Sequence, residues 1–134
     1  MKTVLCSRTR PSQIGEEIYD GGFGYTLDFS WAKWPKDLEG VHTLNGCFDP
    51  EGNLYVATEN PENPVVIFSP EGEYLRSIGA GLFKKAHSVF LTPHRTILTA
   101  DTSPGYHVIR EITMDGELVY DFGTLGQPGD SGYD

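Results

Sequence analysis

Phe48-Asp49-Pro50-Glu51-Gly52-Asn53-Leu54-Tyr55-Val56-Ala57-Thr58 is answered further along the chain by Leu91-Thr92-Pro93-His94-Arg95-Thr96-Ile97-Leu98-Thr99-Ala100-Asp101, with Pro93 standing 43 residues after Pro50 and Ala100 43 after Ala57. Beyond these stretches, Ile67-Phe68-Ser69-Pro70-Glu71-Gly72-Glu73-Tyr74-Leu75 aligns with Glu111-Ile112-Thr113-Met114-Asp115-Gly116-Glu117-Leu118-Val119 at an offset of 44, which implies one inserted residue in the intervening loop. Gly79 and Gly123 close the two units. Self-similarity at a period of about 40–45 residues, with several short strands in each unit, is the signature of propeller blades.

Each unit divides into strands and turns. Residues 44–49 form a short apolar strand, and Pro50-Glu51-Gly52-Asn53 turns the chain, because proline presets φ and glycine accepts a positive one. Leu54–Thr58 is an almost continuous apolar run of the kind buried between neighbouring sheets. Asn60–Pro64 is a loop, Val65–Ser69 a third strand, Pro70-Glu71-Gly72 a second turn and Glu73–Ile78 a fourth strand. The second unit repeats the plan at 88–92, 96–101, 107–113 and 117–122. No long segment carries an apolar period of 3.6, so few helices are expected. The expected fold is all-β: a β-propeller segment of about two to three four-stranded antiparallel blades, an incomplete ring, since closure takes at least about four. The expected organisation is a loose lead-in over 1–23 and a partial propeller over 24–134, with repeat units at about 41–79 and 86–123. Residues 24–30 alternate like a strand, and Trp31 and Trp34 beside it are expected to plug hydrophobic surface.

Composition bounds the function. The chain has 134 residues, enough for one domain with a real core, and is 38% hydrophobic and 22% charged. Its 16 glycines and 9 prolines call for many turns. A net charge of −9 disfavours nucleic acid and anionic lipid, both of which need a basic footprint. The first residues lack the apolar run of a signal peptide, and no stretch approaches the ~20 apolar residues of a membrane span, so the expected address is cytoplasmic. Cys6 and Cys47 could pair, but a reducing compartment is the simpler reading, with Cys47 a small residue in an apolar strand rather than a nucleophile. A row of two or three blades leaves apolar faces open. Truncation from a longer protein is the favoured explanation, and a ring completed by association of copies is the other. Standing alone, the chain is expected to self-associate through exposed blade edges.

The motif Phe48-Asp49-Pro50-Glu51-Gly52-Asn53-Leu54-Tyr55-Val56, followed by Phe68-Ser69-Pro70-Glu71-Gly72-Glu73-Tyr74-Leu75, resembles the NHL repeat of six-bladed propellers. From Gly81 onward, Gly81-Leu82-Phe83-Lys84-Lys85-Ala86-His87-Ser88-Val89, Thr99-Ala100-Asp101-Thr102, His107-Val108 and Gly123-Thr124-Leu125-Gly126-Gln127-Pro128-Gly129 look like one blade of the peptidyl-α-hydroxyglycine α-amidating lyases. They are more similar still to bacterial propeller proteins grouped with those enzymes. The likeness covers roughly residues 24–134. It implies a carbon–nitrogen lyase that releases an amide and glyoxylate from a small or peptidyl α-hydroxy substrate. It also implies zinc held by histidines from three blades, and a structural calcium. By motif position His87 would be one zinc ligand, and the carbonyls of Val89 and Gly46 would lie near the calcium. The other two histidines would belong to blades beyond this sequence, so the chain alone is expected to be inactive. Where those enzymes carry a functional arginine, after the Leu54–Thr58 strand, this sequence has Glu59, whose charge is opposite.

The residues also have plain readings. His87 can line a channel and hydrogen-bond a neighbouring strand, and His42, His94 and His107 show no metal-ligand spacing with it. Asp49 and Asp101 beside turns are expected to cap backbone amides. Tyr55, Tyr74 and Tyr120 are expected to pack, and Glu16-Glu17 and Glu71–Glu73 to be solvated. No phosphate-binding glycine loop and no Ser-His-Asp order is present. A non-catalytic propeller presenting loops to a ligand or protein is the alternative function.

Overall fold

The structure, a computed structural model, describes residues 17–20, 23–26, 28 and 30–130. Expectations that concern Cys6, Glu16, Leu27, Phe29 or most of the lead-in lie outside them. The chain divides into two compact units, Met1–Ala32 and Lys33–Asp134. In the first, β1 (Glu17–Asp20) and β2 (Phe23–Thr26) form an antiparallel hairpin, in a region where the sequence suggests a loose lead-in up to residue 23.

The second unit is all-β apart from one 3-10 turn, Lys36–Leu38. Its first sheet is a meander of β3 (Thr43–Phe48), β4 (Leu54–Thr58), β5 (Val65–Phe68) and β6 (Tyr74–Ile78). Its second is a meander of β7 (Phe90–Leu91), β8 (Thr96–Asp101), β9 (Val108–Thr113) and β10 (Leu118–Phe122). All pairings within the two sheets are antiparallel. The fold is a propeller-like pair of four-stranded blades that does not close. No helix among the described residues is long and apolar enough to cross a membrane.

Turn chemistry sets the register. At the β3–β4 turn Gly52 has φ +88° and donates to the Asp49 carbonyl at 3.0 Å, while the Asp49 carboxylate accepts the Asn53 backbone N–H and side-chain amide, each at 2.8 Å. Asp49 therefore caps the turn. Gly72 and Gly116, with φ +80° and +89°, make the equivalent bonds to the Ser69 and Thr113 carbonyls at 2.9 Å. Gly116 is under a second constraint, because a Cβ there would stand 2.6 Å from the Gly79 nitrogen and 2.9 Å from the Ile78 Cβ. The turn of the second blade rests directly on the end of the first.

Residues opposite one another in adjacent strands share a face. In the first sheet, the face bearing Tyr55, Ala57, Val65, Ile67 and Ile78 packs against Ile97 and Ile112 of the second sheet. Phe83, Ala86 and Val89, from the connection between β6 and β7, fill the space between them. The opposite face of the first sheet carries Val66 and Phe68, both fully buried, and Trp34 sets its ring edge-on to Phe68 at 4.8 Å between centroids. Trp34 is thus the plug expected of it. The backbone of Lys33 donates to the Gly72 carbonyl at 2.9 Å, and its ammonium pairs with Glu73, tying this segment to the turn.

Candidate functional site

His87 sits on the lead into β7 with its side chain exposed. Its backbone N–H donates to the Ala100 carbonyl at 2.8 Å, and the Ala100 N–H reaches the Ser88 hydroxyl at 3.3 Å. The β7–β8 pairing thereby continues upstream through one backbone bond and one side-chain bond, and β7 is only two residues long, shorter than the 88–92 suggested by the repeat. At Val89 the N–H turns away from β8 to the Asn45 side chain at 2.8 Å. Asn45 neighbours Gly46 on β3, so the stretches that carry Val89 and Gly46 run side by side. Val89 is buried, whereas Gly46 is exposed, and a Cβ on Gly46 would press on the Tyr55 carbonyl at 3.1 Å.

Asp101 holds the approach to His87 in place. Nearly inaccessible at 1% exposure, its carboxylate accepts the backbone N–H groups of Lys84 at 2.7 Å and Lys85 at 3.0 Å through one oxygen, and that of Ser103 at 2.8 Å through the other. Burial alone would push its pKa up, but the bonds from Lys85, Ser103 and Lys84 together outweigh burial and hold the carboxyl below its ordinary range. Arg110 anchors the same connection from the second sheet. Its guanidinium donates to the Leu82 carbonyl and to Asp121 at 3.0 Å, and lies 6.0 Å from the Phe83 ring centroid.

Beside this segment Glu59, His42 and Lys85 meet. The Glu59 carboxylate accepts the Lys85 ammonium, and His42 Nδ1 stands 2.9 Å from it. These two partners, Lys85 foremost, lower the Glu59 pKa despite its exposure to solvent. Glu59 is thus an anion whose charge is met by its own neighbours. His94 is exposed in the β8 turn, with its N–H 3.2 Å from the Thr92 hydroxyl, and His107 is half-buried with φ +45°.

Among the described residues no three His, Cys, Asp or Glu side chains gather as a metal site. His87 alone does not fit a zinc centre, which takes about three protein ligands, and His42 is engaged by Glu59. Cys47 is half-buried, and burial, its largest influence, pushes the thiol pKa up, away from nucleophilic reactivity. Tyr55 is buried in the core and Tyr74 lies 6.3 Å from Phe68, whereas Tyr120, expected to pack, is exposed and touches Phe122 at 4.9 Å. At the opposite end of the strands, Phe48, Asp49, Pro50, Leu91, Thr92, Pro93, Arg95 and Met114 line a mostly apolar depression of about 450 Å³. Arg95, its cation, is drawn to Glu51 at 3.1 Å.

Comparison with protein-family models and with curated proteins found no match to this chain.

Proposed function

We propose that this chain is the N-terminal segment of an NHL-repeat propeller protein akin to the peptidyl-α-hydroxyglycine α-amidating lyases, cytoplasmic and inactive on its own. The observation that carries this reading is His87: an exposed imidazole on a rigidly held backbone, beside the strand that bears Gly46. One histidine cannot complete a zinc site, so the remaining ligands would come from further blades, as would the groups acting on a small or peptidyl α-hydroxy substrate. Calcium near the Val89 and Gly46 carbonyls belongs to the same reading. No chemical step is assigned to the residues present here; their contribution is to fix where one ligand stands.

A second reading, a non-catalytic propeller whose loops bind a ligand or a protein, is favoured by Glu59. Its charge is opposite to that of the family's arginine, and it is tied to Lys85 and His42. Equilibrium dialysis against zinc, with glyoxylate release from a peptidyl-hydroxyglycine followed in parallel, separates the two. The lyase-segment reading expects weak zinc uptake abolished by His87→Ala and no glyoxylate. Zinc uptake that is absent, or unchanged by His87→Ala, overturns it in favour of the scaffold.

A further inference from the structure

Two equivalent turns, one from each blade, wall the depression at the end of the strands away from His87. Phe48 and Pro50 come from the β3–β4 turn, Leu91 and Pro93 from the β7–β8 turn, and Met114 from the β9–β10 turn. Its volume of about 450 Å³ falls among those of small-molecule sites, which join apolar walls to a few polar groups that orient the ligand. The polar groups of the lining are not equally available. Both Asp49 oxygens are taken by Asn53, and the Thr92 hydroxyl by the Thr96 hydroxyl and the backbone of His94 and Thr96. Arg95 is different. The bond described for its guanidinium runs to Glu51 at 3.1 Å, and the two side chains are 67% and 50% exposed. Such exposed pairs hold weakly, Glu51 lies outside the lining, and a guanidinium offers five donors in a fork that fits a carboxylate.

The backbone shows that this arginine is not there for its turn. Arg95 stands where the first blade has Gly52, 43 residues earlier. It makes the same turn bond, its N–H donating to the Thr92 carbonyl at 3.1 Å, but at φ +61°. In that conformation a Cβ crowds the following carbonyl oxygen, a burden that glycine escapes. Residues held in this way gather at ligand clamps. We infer that the depression binds a small monocarboxylate with an apolar body, such as an arylalkanoate. Its carboxylate takes Arg95 from Glu51, and its body lies between Phe48, Pro50, Leu91, Pro93 and Met114. The nearby Asp49 carboxylate and the net charge of −9 disfavour ligands with more than one negative charge, phosphates and dicarboxylates among them. The site is separate from His87 and holds whether or not that residue binds zinc.

Amide NMR titration of the 134-residue chain with hydrocinnamate tests this. Shifts confined to the β3–β4 and β7–β8 turns and Met114 are expected, with a dissociation constant on the order of 1 mM for so small a ligand. Arg95→Gly should weaken binding by at least about tenfold, since it removes the fork that holds the carboxylate. Its fold should be intact, because glycine already fills the same place at Gly52. Glu51→Gln removes the competing carboxylate and should tighten binding about threefold. Neutral hydrocinnamamide and cationic phenethylammonium should each bind at least about tenfold more weakly than hydrocinnamate. No shifts at about ten times the expected dissociation constant, equal binding of the amide or the ammonium, or an affinity unchanged in Arg95→Gly overturns the inference.

Discussion

Ile67 and Glu111 occupy the same place in two copies of one repeat, yet the first lies among buried side chains between the two blades and the second on the face of its blade turned away from the first. The same holds along the blades. Ile78, buried, corresponds to Phe122, exposed; Val66, fully buried, corresponds to Arg110, which ties the inter-blade connection to Asp121. The strand plan is common to both blades, set by turns at Pro50-Glu51-Gly52 and Pro70-Glu71-Gly72 and their counterparts. What differs is the neighbour. Backbone hydrogen bonding and turn residues thus determine that a blade forms, while the side chains at equivalent positions record what each blade touches.

The sharpest way to break this comparison is to truncate apolar residues on the two faces of the second sheet. Ile112 is fully buried between the blades, and Ile112→Ala should cost about 3 kcal/mol, since it removes buried methylenes and leaves a cavity in a close-packed layer. Ile109, its strand neighbour on the face turned away from the first blade, should cost less than about 0.5 kcal/mol on the same truncation. Urea unfolding at low protein concentration, where association is absent, measures both. Equal costs would mean that the face bearing Ile109 is covered in solution.

A smaller effect separates the two inter-strand connections. The first blade satisfies its loop after β4 with a neutral group, the Thr58 hydroxyl donating to the Asn63 carbonyl at 2.7 Å, whereas the second blade uses the Asp101 carboxylate to collect three backbone amides. Asp101→Asn turns an amide donor toward amide donors and should cost about 2 kcal/mol. The sign with pH follows from the depressed pKa. The stabilisation is fully present above the ordinary aspartate value near pH 4, and is lost as pH falls through the lower folded value. Acid unfolding followed by fluorescence should therefore be shallower in Asp101→Asn than in the unaltered chain. Parallel acid limbs would remove Asp101 as the anchor of the segment leading to His87.

Much of this was legible in the chain because blades announce themselves locally. The strands fall about where Pro-Glu-Gly, Asp-Gly and Thr-Pro-His-Arg turns bound apolar runs, and β8 spans the residues expected of it, 96–101. The local signal fails where bonding partners are distant. Nothing near Asp101 indicates that it receives the amides of Lys84 and Lys85, 17 and 16 residues upstream. The shortness of β7 depends on Asn45, 44 residues before Val89. The meeting of His42, Glu59 and Lys85 likewise requires three loops to converge. For the candidate site, the sequence nominates His87 through motif position, but the exposure of its side chain and the anchors beneath it are tertiary facts.

The smallest effect has the opposite sign and probes the covered side of the second sheet. Thr99 is fully buried, and among the described residues its hydroxyl has no hydrogen-bond partner. The corresponding residue of the first blade is Val56, of nearly the same shape. A buried hydroxyl without a partner loses its water and gains nothing, so Thr99→Val should stabilise the chain by about 1 kcal/mol. The β-branched side chain keeps its preference for a strand, so the backbone has no reason to move. A rise in the urea midpoint with an unchanged slope is the expected result. A fall would mean that the Thr99 hydroxyl is bonded in solution and that the layer between the blades is wetter than its apolar lining implies, which would lower the cost expected for Ile112→Ala as well.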